Sequence, residues 1–443
     1  MNKKTLRWLY DELPRLVSSG IVPPDVADAI RKHYGELPIG SGRKLAVLIC
    51  GILGATLIGS GVILLLAHNW EDLSRTTRTA LAFVPLASAI ALAAFVLACR
   101  RDNAAWSEGV AVFWALSIGA SISLVAQIYH IHGDAARFFL TWSLLGLPVV
   151  YLMRSGVAAS LYFIGATTYA GCAANLYSRG EALWYWGVIA LVMPPVVKWW
   201  RNDKYAWRAV LTSWALGICL CLGIGFSLEG TMRGSWIGAY TGLFALLYLA
   251  GARWCDDAPS LWQRPWQTVG AFGLGIVALM LTFKWPWREF RYEGWRIVTD
   301  DTTILIVANL FVALLPITAI LLAAREARHA RWTDLDKLMA GLAPLCGVIG
   351  YAIAATTDNV PVPQIIFNIY LFALGLGTLI AGIRANKLSR VNTGLLALAA
   401  LIIARFFDSN MSFLVRGAAF IIVGAGFLVT NLVVLHRKGA QAQ

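Results

Sequence analysis

Residues able to bind or transfer polar groups cluster where apolar runs of the chain stop. One run ends in His68-Asn69-Trp70-Glu71-Asp72. Another ends in Gln127-Ile128-Tyr129-His130-Ile131-His132-Gly133-Asp134, with Arg137 just beyond, and a third in Arg405-Phe406-Phe407-Asp408-Ser409-Asn410. Arginine and histidine suit phosphate, and neighbouring carboxylates orient them. His68, Glu71, Gln127, Tyr129, His130, His132, Asp134, Arg137, Arg405 and Asp408 are therefore candidates for binding a headgroup or glycan. The same residues could instead satisfy helix ends at a membrane interface, and that structural reading stands beside the first. A third reading, a metal held by His68, His130, His132 and a carboxylate, meets a geometric objection. His-x-His points two ways on a helix and converges only on an extended turn. No metal ion is assigned. No phosphate-cradling glycine loop, Ser-His-Asp set or His-Glu-x-x-His signature is present, so no catalytic residue and no cofactor is assigned.

The elements that must position these residues follow from composition. Of 443 residues, 58% are hydrophobic and 14% charged, with a net charge of +13. Soluble domains carry about 25% charged residues. An apolar excess of this size cannot be hidden in one core, which implies an all-α polytopic membrane protein. Apolar stretches fall at 45–67, 79–99, 108–127, 137–153, 156–176, 182–200, 207–226, 235–252, 265–283, 303–323, 336–355, 363–383, 392–406 and 411–434. That makes about fourteen spans (12–14), each of roughly 20 residues, the fourth and thirteenth being short. Residues 1–44 form a separate cytoplasmic hairpin of two helices, 5–19 and 24–34, joined by Gly20-Ile21-Val22-Pro23-Pro24. Residues 45–434 form the membrane domain and 435–443 a cytoplasmic tail. No cleavable signal peptide is expected.

Charge tests the span count independently. With a cytoplasmic amino terminus, the inner segments hold 26 of the 37 lysines and arginines, and 13 of the 24 acidic residues. The outer side is left with 11 of each. This positive-inside bias places both termini in the cytoplasm, and it explains the basic balance without nucleic acid as a partner. Thirteen tryptophans (Trp70, Trp106, Trp184, Trp186, Trp199, Trp200, Trp207, Trp254, Trp262, Trp266, Trp285, Trp287 and Trp332) sit at span ends, as an aromatic belt would place them. Most spans lack an interior charge, which argues against proton-coupled transport. Asn175, Asn309, Asn368 and Asn431 read as hydrogen-bonding groups between helices. Glu108, at an inner span end, reads as a carboxylate favoured by a helix dipole. Recurrent glycine pairs such as Gly375-x-Gly377 read as sites of close helix approach. The seven cysteines imply no disulfide framework.

The Gly20-Ile21-Val22-Pro23-Pro24 turn, the His68-Asn69-Trp70 end of the first span and the Gln127-to-Asp134 end of the third resemble the predicted-membrane-protein family catalogued as domain of unknown function 2157. The resemblance covers roughly residues 5–150, and Arg405-Phe406-Phe407-Asp408 is similar to the carboxy-terminal pattern of such bacterial proteins. It implies a bacterial inner-membrane protein and brings no catalytic residues with it.

Three functions fit these observations. A carrier or flippase-like protein would move an amphiphilic envelope component through a nearly charge-free interior beneath a polar outer rim. A membrane enzyme would act on a lipid-linked substrate at the outer face, using histidine or carboxylate as general base. A scaffold or sensor would dock a cytoplasmic protein partner through residues 1–44. The balance favours the carrier, with membrane lipids as its surroundings and an amphiphilic or lipid-linked molecule as its substrate.

Overall fold

The computed structural model describes residues 3–34, 73–101, 103–176, 179–228, 235–255, 258, 260–288, 302–327, 335–357 and 361–408, with isolated positions beyond. Contacts divide the chain into two units, 1–78 and 79–443. Among the described residues every regular element is helical. In the first unit, α1 (Lys3–Ser18) is followed by α2 (Pro24–Tyr34). Gly20, at φ 71, takes the left-handed conformation that closes α1, and the Ile21 amide donates to the Leu16 carbonyl at 3.1 Å. Pro24 opens α2, where its missing N–H costs no bond.

Thirteen further helices are described. They are α3 (Arg75–Cys99), α4 (Ala104–Ile128), α5 (Ala135–Met153), α6 (Gly156–Leu176), the short α7 (Arg179–Ala182), α8 (Trp184–Asn202), α9 (Trp207–Leu228), α10 (Ser235–Trp254), α11 (Pro265–Leu281), α12 (Thr302–Ala327), α13 (Leu335–Thr356), α14 (Pro361–Arg384) and α15 (Leu388–Asp408). Caps set the start of two of them beyond their apolar runs. Asn103 accepts from the Ala105 and Trp106 amides, so α4 begins four residues before the span read at 108–127. Asp134 caps α5 in the same way, lengthening the short fourth span to 19 residues, and α15 extends the thirteenth to 21. Among the described residues eight helices are long and apolar enough to cross a membrane: α3, α4, α5, α6, α9, α13, α14 and α15. The expected first span, 45–67, lies outside the described residues, as does 411–434 apart from isolated positions.

Two apolar cores hold the second unit together. One gathers Val96, Ile118, Val149, Phe163, Tyr185 and Val192 from α3, α4, α5, α6 and α8. The other gathers Ile237, Phe244, Leu281, Trp287, Phe367 and Tyr370 from α10 onward. Trp186 and Trp266 pack against both cores. The fully buried Trp287 is therefore an internal packing group and not a member of the aromatic belt, while Trp186 and Trp266 are half-buried against both cores. Trp106, Trp184, Trp207, Trp254, Trp262 and Trp285 remain exposed at or beside helix ends, as a belt requires.

Polar side chains hook onto backbone carbonyls of neighbouring helices. Pro195 has no N–H, which frees the Leu191 carbonyl within α8, and Tyr151 of α5 donates its hydroxyl there at 2.7 Å. Asn368 of α14 donates across to the Thr282 carbonyl at 3.3 Å, the interhelical role read for it, whereas Asn175 bonds within its own helix. The backbones of α14 and α15 approach closely. A Cβ on Gly394 would stand 2.5 Å from the Leu379 amide nitrogen and 2.7 Å from the Gly375 carbonyl oxygen. Only glycine permits that spacing.

The outward surface completes the membrane pattern. On α14, Ile365, Ile369, Phe372, Leu376 and Ile380 form an exposed apolar stripe, while Phe367, Tyr370 and Leu371 face the core. A helix apolar on both faces is the pattern of a membrane-spanning element.

Candidate functional site

Two helix-end faces carry the polar groups. At the first, α4 ends on Tyr129 and His130. His130 adopts φ 52, and the Ile131 amide donates back to Ala126 at 2.9 Å, so this histidine closes the helix in a left-handed conformation. Residues 131–134 then lead into α5. Asp134 accepts from the Arg137 amide at 2.7 Å through Oδ1, while Oδ2 lies 3.5 Å from Arg137 Nε. Its carboxylate is thus engaged in capping. Thr79 donates to the Tyr129 hydroxyl at 3.2 Å, joining the start of α3 to the end of α4. Gln127, His130, His132 and Arg137 are exposed. The structure brings Gln127, Tyr129, His130, His132, Asp134 and Arg137 into one turn. His68 and Glu71 fall outside the described residues, as does the side chain of Asp408. Among the described residues no three histidine, cysteine or carboxylate groups converge as a metal site would need.

Arg405 belongs to the second core instead. It lies near the end of α15 and is half-buried. A terminal nitrogen donates to Thr282 Oγ at 3.2 Å, and the guanidinium sits 5.1 Å from the Phe283 ring. Thr282 follows α11, donating its hydroxyl to the Leu279 carbonyl and accepting from Asn368 on its own carbonyl. Thr282 therefore receives a donor from α14 and another from α15 at one end of the bundle.

The opposite face holds a site that the sequence reading passed over. Glu108, one turn inside α4, has only 11% of its side chain exposed. It accepts from the Ser155 hydroxyl, from the Gly156 amide at 3.2 Å, from the Val157 amide at 3.1 Å and from Arg208 Nε at 2.9 Å. The helix dipole that favours Glu108 is that of α6. The carboxylate sits at the amino terminus of α6, whose first two amides it satisfies, and not at that of its own helix. Ser155 completes the cap by accepting from Ala158, and Ser107 donates to the Met153 carbonyl at 2.6 Å. Glu108, Ser155 and Arg208 thereby lock together the ends of α4, α5, α6 and α9. The available signal was Glu108 itself, the one acidic residue within the third apolar stretch.

Beside this lock an open cleft of about 440 Å³ separates the ends of α3, α4, α5 and α9. Arg101, Arg154 and Arg208 line it, with Val96, Leu152 and Met153 as apolar walls. Arg208 also lies 5.7 Å from the Trp207 ring. Elsewhere on the basic side, Arg253 at the end of α10 pairs with Glu326 at the end of α12 at 2.6 Å. Cys255 beside them is buried, which pushes its thiol pKa up despite the opposing pull of Lys204 and Arg264.

The model of the family described as Predicted membrane protein (DUF2157) matches residues 14–159, as the sequence resemblance implied. The match includes Glu108, Ser155 and the Gln127–Arg137 turn, and stops short of Arg208 and Arg405. No curated protein matches the chain. No solved structure matches it either.

Proposed function

We propose that this protein is a carrier of an amphiphilic envelope component in the bacterial inner membrane, with about fourteen spans, both termini cytoplasmic and residues 1–44 as a cytoplasmic hairpin. The observation that carries the reading is the separation of polar from apolar groups. Ionic groups gather at the two helix-end faces, while the cores between them are built from aliphatic, aromatic and small residues. A headgroup would be recognised at either face and would cross beside a surface offering little electrostatic resistance. The positive-inside bias assigns the face of Arg101, Arg154 and Arg208 to the cytoplasm. The turn from Gln127 to Arg137 then faces outward, as does Arg405.

Purified protein in liposomes containing trace fluorescent phospholipid tests this reading. A carrier exposes the inner-leaflet label to a membrane-impermeant quencher, whereas protein-free vesicles shield it. His130→Gly, Asp134→Asn and Arg405→Gln should slow the exchange; Asp134→Asn keeps the cap and removes only the charge. Quenching no greater than in protein-free vesicles, across anionic and zwitterionic labels, would refute the carrier. The enzyme alternative requires a base in a closed pocket, and His130 and His132 are exposed while Asp134 is engaged in capping.

A further inference from the structure

We infer that the cleft between the ends of α3, α4, α5 and α9 is a binding site for the headgroup of an anionic phospholipid. Its phosphate would be held by Arg101 and Arg154 beside Arg208, and its first methylenes would lie along Leu97 and Leu152. Three observations converge. The first is charge. Glu108 neutralises Arg208, but no carboxylate among the described residues pairs with Arg101 or Arg154, and both side chains are exposed at the cleft. Two guanidiniums thus meet one opening, and guanidinium is the group best suited to bidentate phosphate contact.

The second is shape and chemistry of the wall. A volume of about 440 Å³ falls within the usual range for ligand sites. One side of the cleft is hydrocarbon, with Leu152 51% exposed. A free inorganic anion gains nothing from that wall, while a molecule with phosphate at one end and acyl chain at the other fits both halves. The third is rigidity. The Glu108–Ser155–Arg208 lock fixes three of the helix ends around the cleft, and Arg154 itself occupies the left-handed position that ends α5 at φ 50. The Arg208 guanidinium and the backbone that carries Arg154 are therefore held before a ligand arrives, which lowers part of the ordering cost of binding. The site stands independently of the carrier reading, since a lipid held permanently there would use the same contacts.

Delipidated full-length protein in neutral detergent provides the test, with bound lipid counted by native mass spectrometry. Three probes are titrated: short-chain phosphatidylglycerol, phosphatidylcholine of the same chains, and inorganic phosphate. Phosphatidylglycerol should bind about tenfold or more tightly than phosphatidylcholine. Arg101→Gln with Arg154→Gln should abolish that preference without shifting the lipid-free melting temperature. Leu152→Trp, which fills the apolar wall at an exposed position, should weaken phosphatidylglycerol binding even if the double variant fails to fold. Equal binding of the two lipids would overturn the proposal, as would a preference that survives both variants. Displacement of phosphatidylglycerol by equimolar inorganic phosphate would overturn the lipid assignment in favour of a free-anion site.

Discussion

Removal of the Glu108 carboxylate should be the most costly single change at the basic face. Glu108→Ala deletes four accepted hydrogen bonds: from Ser155, from the Gly156 and Val157 amides, and from Arg208 Nε. The two amides open α6 in surroundings that offer little water, and the Arg208 guanidinium loses its counter-ion. Breaking a buried pair by removing one partner costs roughly 3–5 kcal/mol. Arg208 retains 28% side-chain exposure, so solvent screens part of the loss and the lower end, about 3 kcal/mol, is the better figure. At about 2 °C per kcal/mol for a large chain, the melting temperature in detergent should fall by about 6 °C. Glu108→Gln keeps acceptors for the amides and should lose less. Arg208→Gln combined with Glu108→Gln should lose less than the two single changes together, because each single change already breaks the same pair. Intrinsic tryptophan fluorescence during thermal unfolding reads all of these. A Glu108→Ala protein melting within about 1 °C of wild type, or strict additivity in the double variant, would refute the lock.

Gly394→Ala drives a methyl against the Leu379 amide and the Gly375 carbonyl, where backbone rather than a pliant side chain is met. It should cost about 1–3 kcal/mol, read as a lower melting temperature. His130→Gly relieves a left-handed conformation that disfavours a side chain by about 1 kcal/mol, so thermal stability should hold or rise. A lower melting temperature would show that the imidazole has a packing role. Cys255 is buried and its thiol is pushed up by that burial, while Cys99 is exposed, so maleimide should label Cys99 first at neutral pH. Because the folded state holds the Cys255 proton more tightly, its contribution to stability is present below the ordinary thiol pKa. That contribution is lost as pH rises through the raised value, and a melting temperature that rises across this alkaline window in wild type but not in Cys255→Ala would contradict it.

Much of the architecture was readable in one dimension because each helix of a membrane protein must satisfy its own backbone and present an apolar surface. The 156–176 stretch coincides with α6, and 265–283 ends within two residues of α11. Boundaries drifted where a polar side chain extended a helix beyond its apolar run. Asn103 added four residues to α4 and Asp134 two to α5, and hydropathy does not weigh a cap. Trp287 leaves the expected belt for a related reason: an indole near a span end faces either lipid or a neighbouring helix, and only the neighbour decides.

The candidate site divides along the same line. That polar residues gather at helix ends was legible, since desolvation confines them there, and the turn from Gln127 to Arg137 is contiguous in the chain. The convergence of Glu108 with Ser155 and Arg208, about 50 and 100 residues away, needed the packing of α4 against α6 and α9. So did the meeting of Arg405 with Thr282 across 123 residues. Hydrophobic periodicity states which face of a helix is buried and says nothing of which partner lies against it. The membrane character of this protein was therefore a property of its sequence, while the electrostatic lock and the arginine-lined cleft beside it were decided by tertiary structure.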